Sequence, residues 1–243
     1  MRRWRNTASP VRITSEICAM LPEAYLFDMD GLLLDSERLA MSSFLDTVAP
    51  KGVALSKAEP FFLTLVGTSA ATTNAMLLEF LPKALKPADV IEEWRANFDA
   101  AVSADLPVKE GAAEVLADLA GQGARMAVVT STLGDRARHH LEVAGLLGHV
   151  EFVLGGDEVR ATKPDPAPYL QAAERLGVNP NRSAAFEDSD RGIAAAVAAG
   201  CHAVQIPDLR PVDQPLPDLG QMVAHSLAEA VSMAQHSVAN KGR

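Results

Sequence analysis

The chain of 243 residues is long enough to bury a real core, and with 48% apolar and 22% charged residues it has a globular composition, not a disordered or fibrous one. Its net charge of −9, with basic residues not gathered into a stripe, argues against a nucleic-acid polymer or an anionic membrane as partner. No apolar run reaches the roughly 20 residues a bilayer crossing needs, and two cysteines, Cys18 and Cys201, are too few for a disulfide framework, so a reducing, cytoplasmic setting is expected.

Residues 1–19 carry Arg2, Arg3, Arg5 and Arg12 against Glu16 alone, +3 against −12 for the rest. A loose tail is expected there, with a targeting segment or a true start at Met20 as alternatives. The apolar run Ala24 to Phe27 ends in Asp28 and Gly31, the pattern of a buried strand delivering a carboxylate into a loop. From Ser36 to about Asp105 no strand is evident. Helical patterns cover Glu37–Val48, Ser56–Leu65, Thr72–Phe80 and Ala88–Val102, with Pro60, Pro82, Pro87 and Pro107 as breakers. Residues 37–105 therefore read as an all-helical insertion in a core formed by 20–36 and 106–243.

After Pro107 helices and strands alternate. Helices are expected at Gly111–Ala120, Asp135–Ala144, Asp165–Leu176 and Gly192–Ala199, and strands at Ala124–Val129, Phe152–Leu154, Ala184–Phe186 and Ala203–Ile206. That rhythm implies right-handed crossovers and a parallel sheet covered on both faces, a three-layer Rossmann-like α/β/α core. Ligands of such sheets bind beyond the carboxyl ends of the strands. Asp28 and Asp30, Thr130 and Ser131, Lys163, and Glu187 and Asp188 all fall there. Pro207 to Pro217 reads as an extended surface connection.

Several carboxylates at one sheet edge repel one another unless a cation compensates them. Magnesium, which takes oxygen donors and is commonly held by one or two carboxylates plus substrate phosphate, is the expected cofactor. Asp28 and Asp188 are the first candidates to hold it, with the backbone carbonyl of Asp30 as a third donor and Glu187 nearer the water shell. A phosphoryl group there needs donors for its equatorial oxygens, and the Thr130 hydroxyl, the Ser131 N–H and the Lys163 ammonium offer them. Asp28 can attack phosphorus while Asp30 protonates the leaving oxygen and then activates water. Each pair alone is weak, but four in order, each at a strand end, are specific.

These residues also resemble a known family. Phe27-Asp28-Met29-Asp30-Gly31-Leu32-Leu33-Leu34-Asp35-Ser36-Glu37 is similar to the first motif of haloacid dehalogenase-like hydrolases. Val129-Thr130-Ser131 resembles the second, Lys163-Pro164-Asp165-Pro166 the third, and Phe186-Glu187-Asp188-Ser189 with Gly192 the fourth. The helical insertion resembles the cap of the β-phosphoglucomutase-like group, which implies a lid over the substrate. The second aspartate, Asp30, disfavours carbon–halogen chemistry. Ala40 falls where mutase relatives carry a histidine, and Ala70 and Ala71 where they carry an arginine, which favours hydrolysis.

The resemblance thus implies a magnesium-dependent phosphatase acting on a small phosphorylated metabolite, such as a sugar or nucleoside phosphate; a monomer or weak dimer is expected, with no code for it in the sequence. A sugar-phosphate isomerase is the rival, and a non-catalytic binding protein a second. Gly67, Thr68 and Ser69 are either a contact with the non-reacting part of the substrate or a polar connection between helices. Trp94 is expected to pack, His139 and His140 to form a solvated face, and Cys201 to be a small buried hydrophobe.

Overall fold

The computed structural model describes residues 21–66, 68, 70–211 and 213–241. The expected tail, residues 1–19, lies outside them. Six strands form one parallel sheet: β1 (Ala24–Phe27), β2 (Met126–Val129), β3 (Phe152–Leu154), β4 (Ser183–Glu187), β5 (His202–Gln205) and β6 (Met222–Val223), in the order β3-β2-β1-β4-β5-β6. The chain runs outward from β1 through β2 to β3, then returns to lay β4 on the other side of β1. The crevice of the sheet therefore opens at the carboxyl ends of β1 and β4.

Period-two alternation divides the strand side chains between two cores. Tyr25, Phe27, Val128 and Phe186 face Leu116 of α5 (Ala112–Gly121), Leu141 of α6 (Gly134–Val143) and Ala230 of α9 (Leu227–Lys241). Ala24, Leu26, Ala127, Val129 and Ala185 face Tyr169 of α7 (Ala167–Leu176) and Ile193 of α8 (Asp190–Ala198). The Phe27 and Phe186 rings stack at 5.0 Å on adjacent strands, joining β1 to β4 beneath the crevice. The central strands β1 and β2 are buried on both faces, which is why they read as continuous apolar runs.

The insertion contains α1 (Ser36–Val48), α2 (Leu55–Leu65), α3 (Ala70–Phe80) and α4 (Pro87–Ala104). They close on a cluster of their own, in which Phe44, Phe62, Leu77 and Val90 are buried and Trp94 packs edge-on against Phe44 at 5.1 Å. Trp94 also donates its indole N–H to the Ala40 carbonyl at 2.9 Å, so it packs as expected. The two connections to the core run side by side. Leu34 and Val108 form an antiparallel bridge, Asp35 N–H donates to the Pro107 carbonyl at 2.8 Å and Lys109 N–H to the Leu33 carbonyl at 2.9 Å.

Four expectations need correction. Pro60 does not break α2 but sits inside it. Met222–Val223 and Leu227–Lys241 form an edge strand and a helix the periodicity did not reveal. The segment after β5 is more than a connection, because Asp208 accepts from both Arg38 and Lys109 at 2.7 Å and Arg210 pairs with Asp190 at 3.0 Å. His139 is exposed, but His140 is buried against Phe98 of α4, and burial lowers its pKa.

Candidate active site

Asp28 is the first residue beyond β1, and its N–H donates to the Phe186 carbonyl at 3.0 Å, which extends the pairing with β4 by one step into the crevice. Glu187 ends β4 and Asp188 follows it. The three side chains are buried, and each offers a carboxylate oxygen within 4.8 Å of the others. Two glycines make room for them. Gly31 has φ +78° and its Hα faces Asp188, so a Cβ would collide with the Asp188 carboxylate. Gly192, in the first turn of α8, stands where a Cβ would collide with the Glu187 carboxylate, and Ser189 caps the Gly192 N–H at 3.1 Å.

Lys163 enters from the loop between β3 and α7, where its peptide bond to Pro164 is cis. Its ammonium, 6% exposed, donates to Asp28 Oδ1 at 2.6 Å and the Val129 carbonyl at 2.8 Å, and pairs with Glu187 Oε1 at 2.6 Å. Tyr169 OH donates to the same Glu187 oxygen, and the Arg191 guanidinium donates to the Lys163 carbonyl. Asp30 turns the other way: its Oδ1 accepts from Ser36 Oγ at 2.6 Å, and its Oδ2 from Thr132 Oγ1 at 2.7 Å and Thr130 Oγ1 at 3.4 Å.

One ammonium does not balance this many acids. Burial, then the charges of Glu187 and Asp30, push Asp28 up to about 8 against the opposing pull of Lys163. Burial and the neighbouring acids, Asp28 first, hold Asp188 well above the usual carboxylate range. Glu37, in the first turn of α1, is likewise pushed up to about 8, by burial and then by Asp30, and its Oε2 is enclosed with no hydrogen-bond partner among the described residues. Burial opposes the charge of Lys163, yet Asp28 and Glu187 outweigh it and raise its pKa. Hard oxygen donors in a buried, electron-rich cluster are what a magnesium ion requires, and the residues present fit it.

Of the expected site residues, Asp28, Asp30, Thr130, Lys163, Glu187 and Asp188 converge at the crevice. Glu187, expected nearer the water shell, is fully enclosed within the cluster. Ser131 is exposed on the loop after β2. Gly67 and Ser69 lie outside the described residues. Thr68 is half-buried and shares a hydrogen bond of 2.8 Å with Thr73. Thr132, Ser36, Glu37, Tyr169 and Arg191 join the residues at the crevice, beyond those expected from the sequence. Tyr169 sits in an apolar helical pattern and carries no local signal, whereas Thr132 adjoins the Thr-Ser pair and Ser36-Glu37 closes the first motif.

Sheet order, helical insertion and the acidic crevice together define a Rossmann-like α/β enzyme with an inserted cap. The family model for haloacid dehalogenase-like hydrolases matches residues 25–206, and the chain belongs to that family. It is 31% identical to a phosphorylated carbohydrates phosphatase of Thermotoga maritima, an alignment covering 73% of this chain and 82% of the relative. A crystal structure of a haloacid dehalogenase family hydrolase from Deinococcus radiodurans, with bound phosphate and sodium, superposes with a TM-score of 0.73 at 30% identity, covering 90% of this chain and 98% of the other. A mutant of CbbY from Rhodobacter sphaeroides, crystallised in complex with xylulose-(1,5)bisphosphate, superposes with a TM-score of 0.68 at 28% identity over 86% and 96% of the two chains.

Proposed function

We propose that the chain is a phosphatase that hydrolyses a small phosphate monoester, a sugar phosphate or related metabolite, through a phosphoaspartate on Asp28. The observation that carries this reading is the position of Asp28, buried at the switch crevice, with Lys163 on one oxygen at 2.6 Å and a second aspartate two residues on. The relatives' phosphorylated carbohydrates suggest the substrate class.

In this reading Lys163 fixes Asp28 Oδ1 and so aims the other oxygen at phosphorus. As the Asp28–phosphorus bond forms, the ester bond breaks, and its electron pair stays on the leaving oxygen, which takes the proton of Asp30. Asp30, now a carboxylate, removes a proton from water. The water oxygen bonds to phosphorus, the bond to Asp28 breaks, and inorganic phosphate leaves with Asp28 restored. The Thr130 hydroxyl, the Ser131 N–H and the Lys163 charge receive the equatorial oxygens. Asp28 and Asp188, with the Asp30 carbonyl and with Glu187 beside them, would hold magnesium, which when bound supplies positive charge for the transferring phosphoryl group. The helices of residues 37–105 act as the lid, and the loop around Gly67, Thr68 and Ser69 meets the non-reacting part of the substrate.

The test is a panel of phosphorylated metabolites assayed with magnesium for phosphate release, with Asp28→Asn alongside. The variant is expected to keep its circular dichroism and to lose several orders of magnitude in turnover; release at the wild-type rate would remove Asp28 from the nucleophile role. Interconversion of sugar phosphates with no net release, followed by phosphorus NMR with added bisphosphate, would replace hydrolysis with isomerisation.

A further inference from the structure

Asp30 must act first as an acid and then as a base, so its carboxyl has to be held in one orientation in both protonation states. Two short hydrogen bonds do this, one to each oxygen: Ser36 Oγ to Oδ1 at 2.6 Å and Thr132 Oγ1 to Oδ2 at 2.7 Å. Ser36 belongs to the first turn of α1, which leads into the insertion. Thr132 belongs to the core, and its backbone is fixed at both ends: its N–H donates to Thr130 Oγ1 at 3.1 Å, and its carbonyl accepts from Gly156 N–H at 2.9 Å on the neighbouring loop after β3. By donating to Oδ2, Thr132 holds Asp30 both as a carboxylate and as an acid protonated on Oδ1, which leaves that proton free for the leaving oxygen. Thr130 contributes less to the same oxygen, since at 3.4 Å its bond is long.

Building on the reading of Asp30 as the acid and base, we propose that Thr132 is its core-side positioning residue, which sets the direction from which the leaving oxygen is protonated. Thr132 forms no bond to phosphorus. In the first half-reaction the ester oxygen keeps the electron pair of the breaking bond and takes the Asp30 proton, and Thr132 fixes where that proton stands.

The role has a signature that a merely structural residue lacks. An alkoxide leaving group needs the proton, whereas 4-nitrophenolate departs without it, so in kcat/KM, which reports formation of the phosphoaspartate, loss of Thr132 should matter only for the first. The full chain with magnesium is assayed on the sugar phosphate it hydrolyses fastest and on 4-nitrophenyl phosphate, comparing wild type, Thr132→Val, Thr132→Ser and Asp30→Asn. Positioned proton transfer contributes about 100-fold or more to such steps, so kcat/KM of Thr132→Val should fall about 10-fold or more on the sugar phosphate and by no more than about 3-fold on the aryl ester. Thr132→Ser, which keeps the hydroxyl, should restore the sugar-phosphate rate. Equal losses on both substrates, no loss on either, or no rescue by serine overturns the assignment of Thr132. If Asp30→Asn also affects both substrates alike, the acid role of Asp30 fails as well. A dependence on leaving group in Asp30→Asn but not in Thr132→Val removes Thr132 alone.

Discussion

The ammonium of Lys163 is divided among Asp28, Glu187 and the Val129 carbonyl, and this sharing explains why a single lysine can be buried at the sheet edge. Each of its hydrogens has an acceptor, so the desolvation cost is met locally. Gly31 is as constrained as the charged residues. Gly31→Ala meets both an unfavourable positive φ and the Asp188 carboxylate, and a backbone held in that region costs about 1–3 kcal/mol. The expected result is a drop in stability of about that size by urea titration, together with a loss of activity larger than partial unfolding explains, because Asp188 must move. A variant with wild-type stability and rate would show that the loop absorbs a side chain freely.

At the level of elements, the strand bearing the first motif was legible because burial on both faces gives an uninterrupted apolar run: Ala24–Phe27 is observed as expected from the sequence, as is Phe152–Leu154. The helices of the insertion were also visible, shifted by a residue or two at their ends. Proline usually breaks a helix, yet Pro60 is tolerated within α2. The final edge strand has only two residues, too few for any periodicity, and nothing local in the segment after β5 signals what it does. Asp208 lies between Arg38, on α1, and Lys109, on the returning connection, with its side chain 5% exposed. Such a tie is tertiary, between residues far apart in the chain. Asp208→Ala leaves Asp35 as the acid between the two cations, at 2.7 Å from Arg38 and 3.7 Å from Lys109. A loss of about 1 kcal/mol is expected, with faster amide hydrogen exchange in the first turn of α1 and at residues 107–109, and unchanged exchange in β1 and β4. Unaltered exchange at those junctions would mean the tie carries no strength.

Across the whole molecule, the acids of the crevice make stability depend on pH in a definite direction. Asp28 titrates near 3.8 when exposed and about 8 when folded, so the native state binds its proton more tightly than the unfolded chain. This contribution is fully present below pH 3.8 and is lost as pH rises through about 8. Glu37 acts in the same sense from 4.5 to about 8. In chelator-treated protein, thermal melting measured over that window should fall more steeply in wild type than in Asp28→Asn. Magnesium held by Asp28 as proposed would compete with its proton, so the rise in melting temperature on adding the ion should be larger at pH 8.5 than at pH 6; an equal or reversed increment would separate the cation from these carboxylates. The paired connections at Leu34 and Val108 have a different significance. The chain departs from and rejoins the core at neighbouring points, and Phe44, Phe62 and Leu77 pack within the inserted part, separately from the sheet's two apolar layers. The inserted part, the proposed lid, is thus a cassette: it joins the core at two adjacent sites, and Asp28, Asp30, Glu187 and Asp188 all lie outside it.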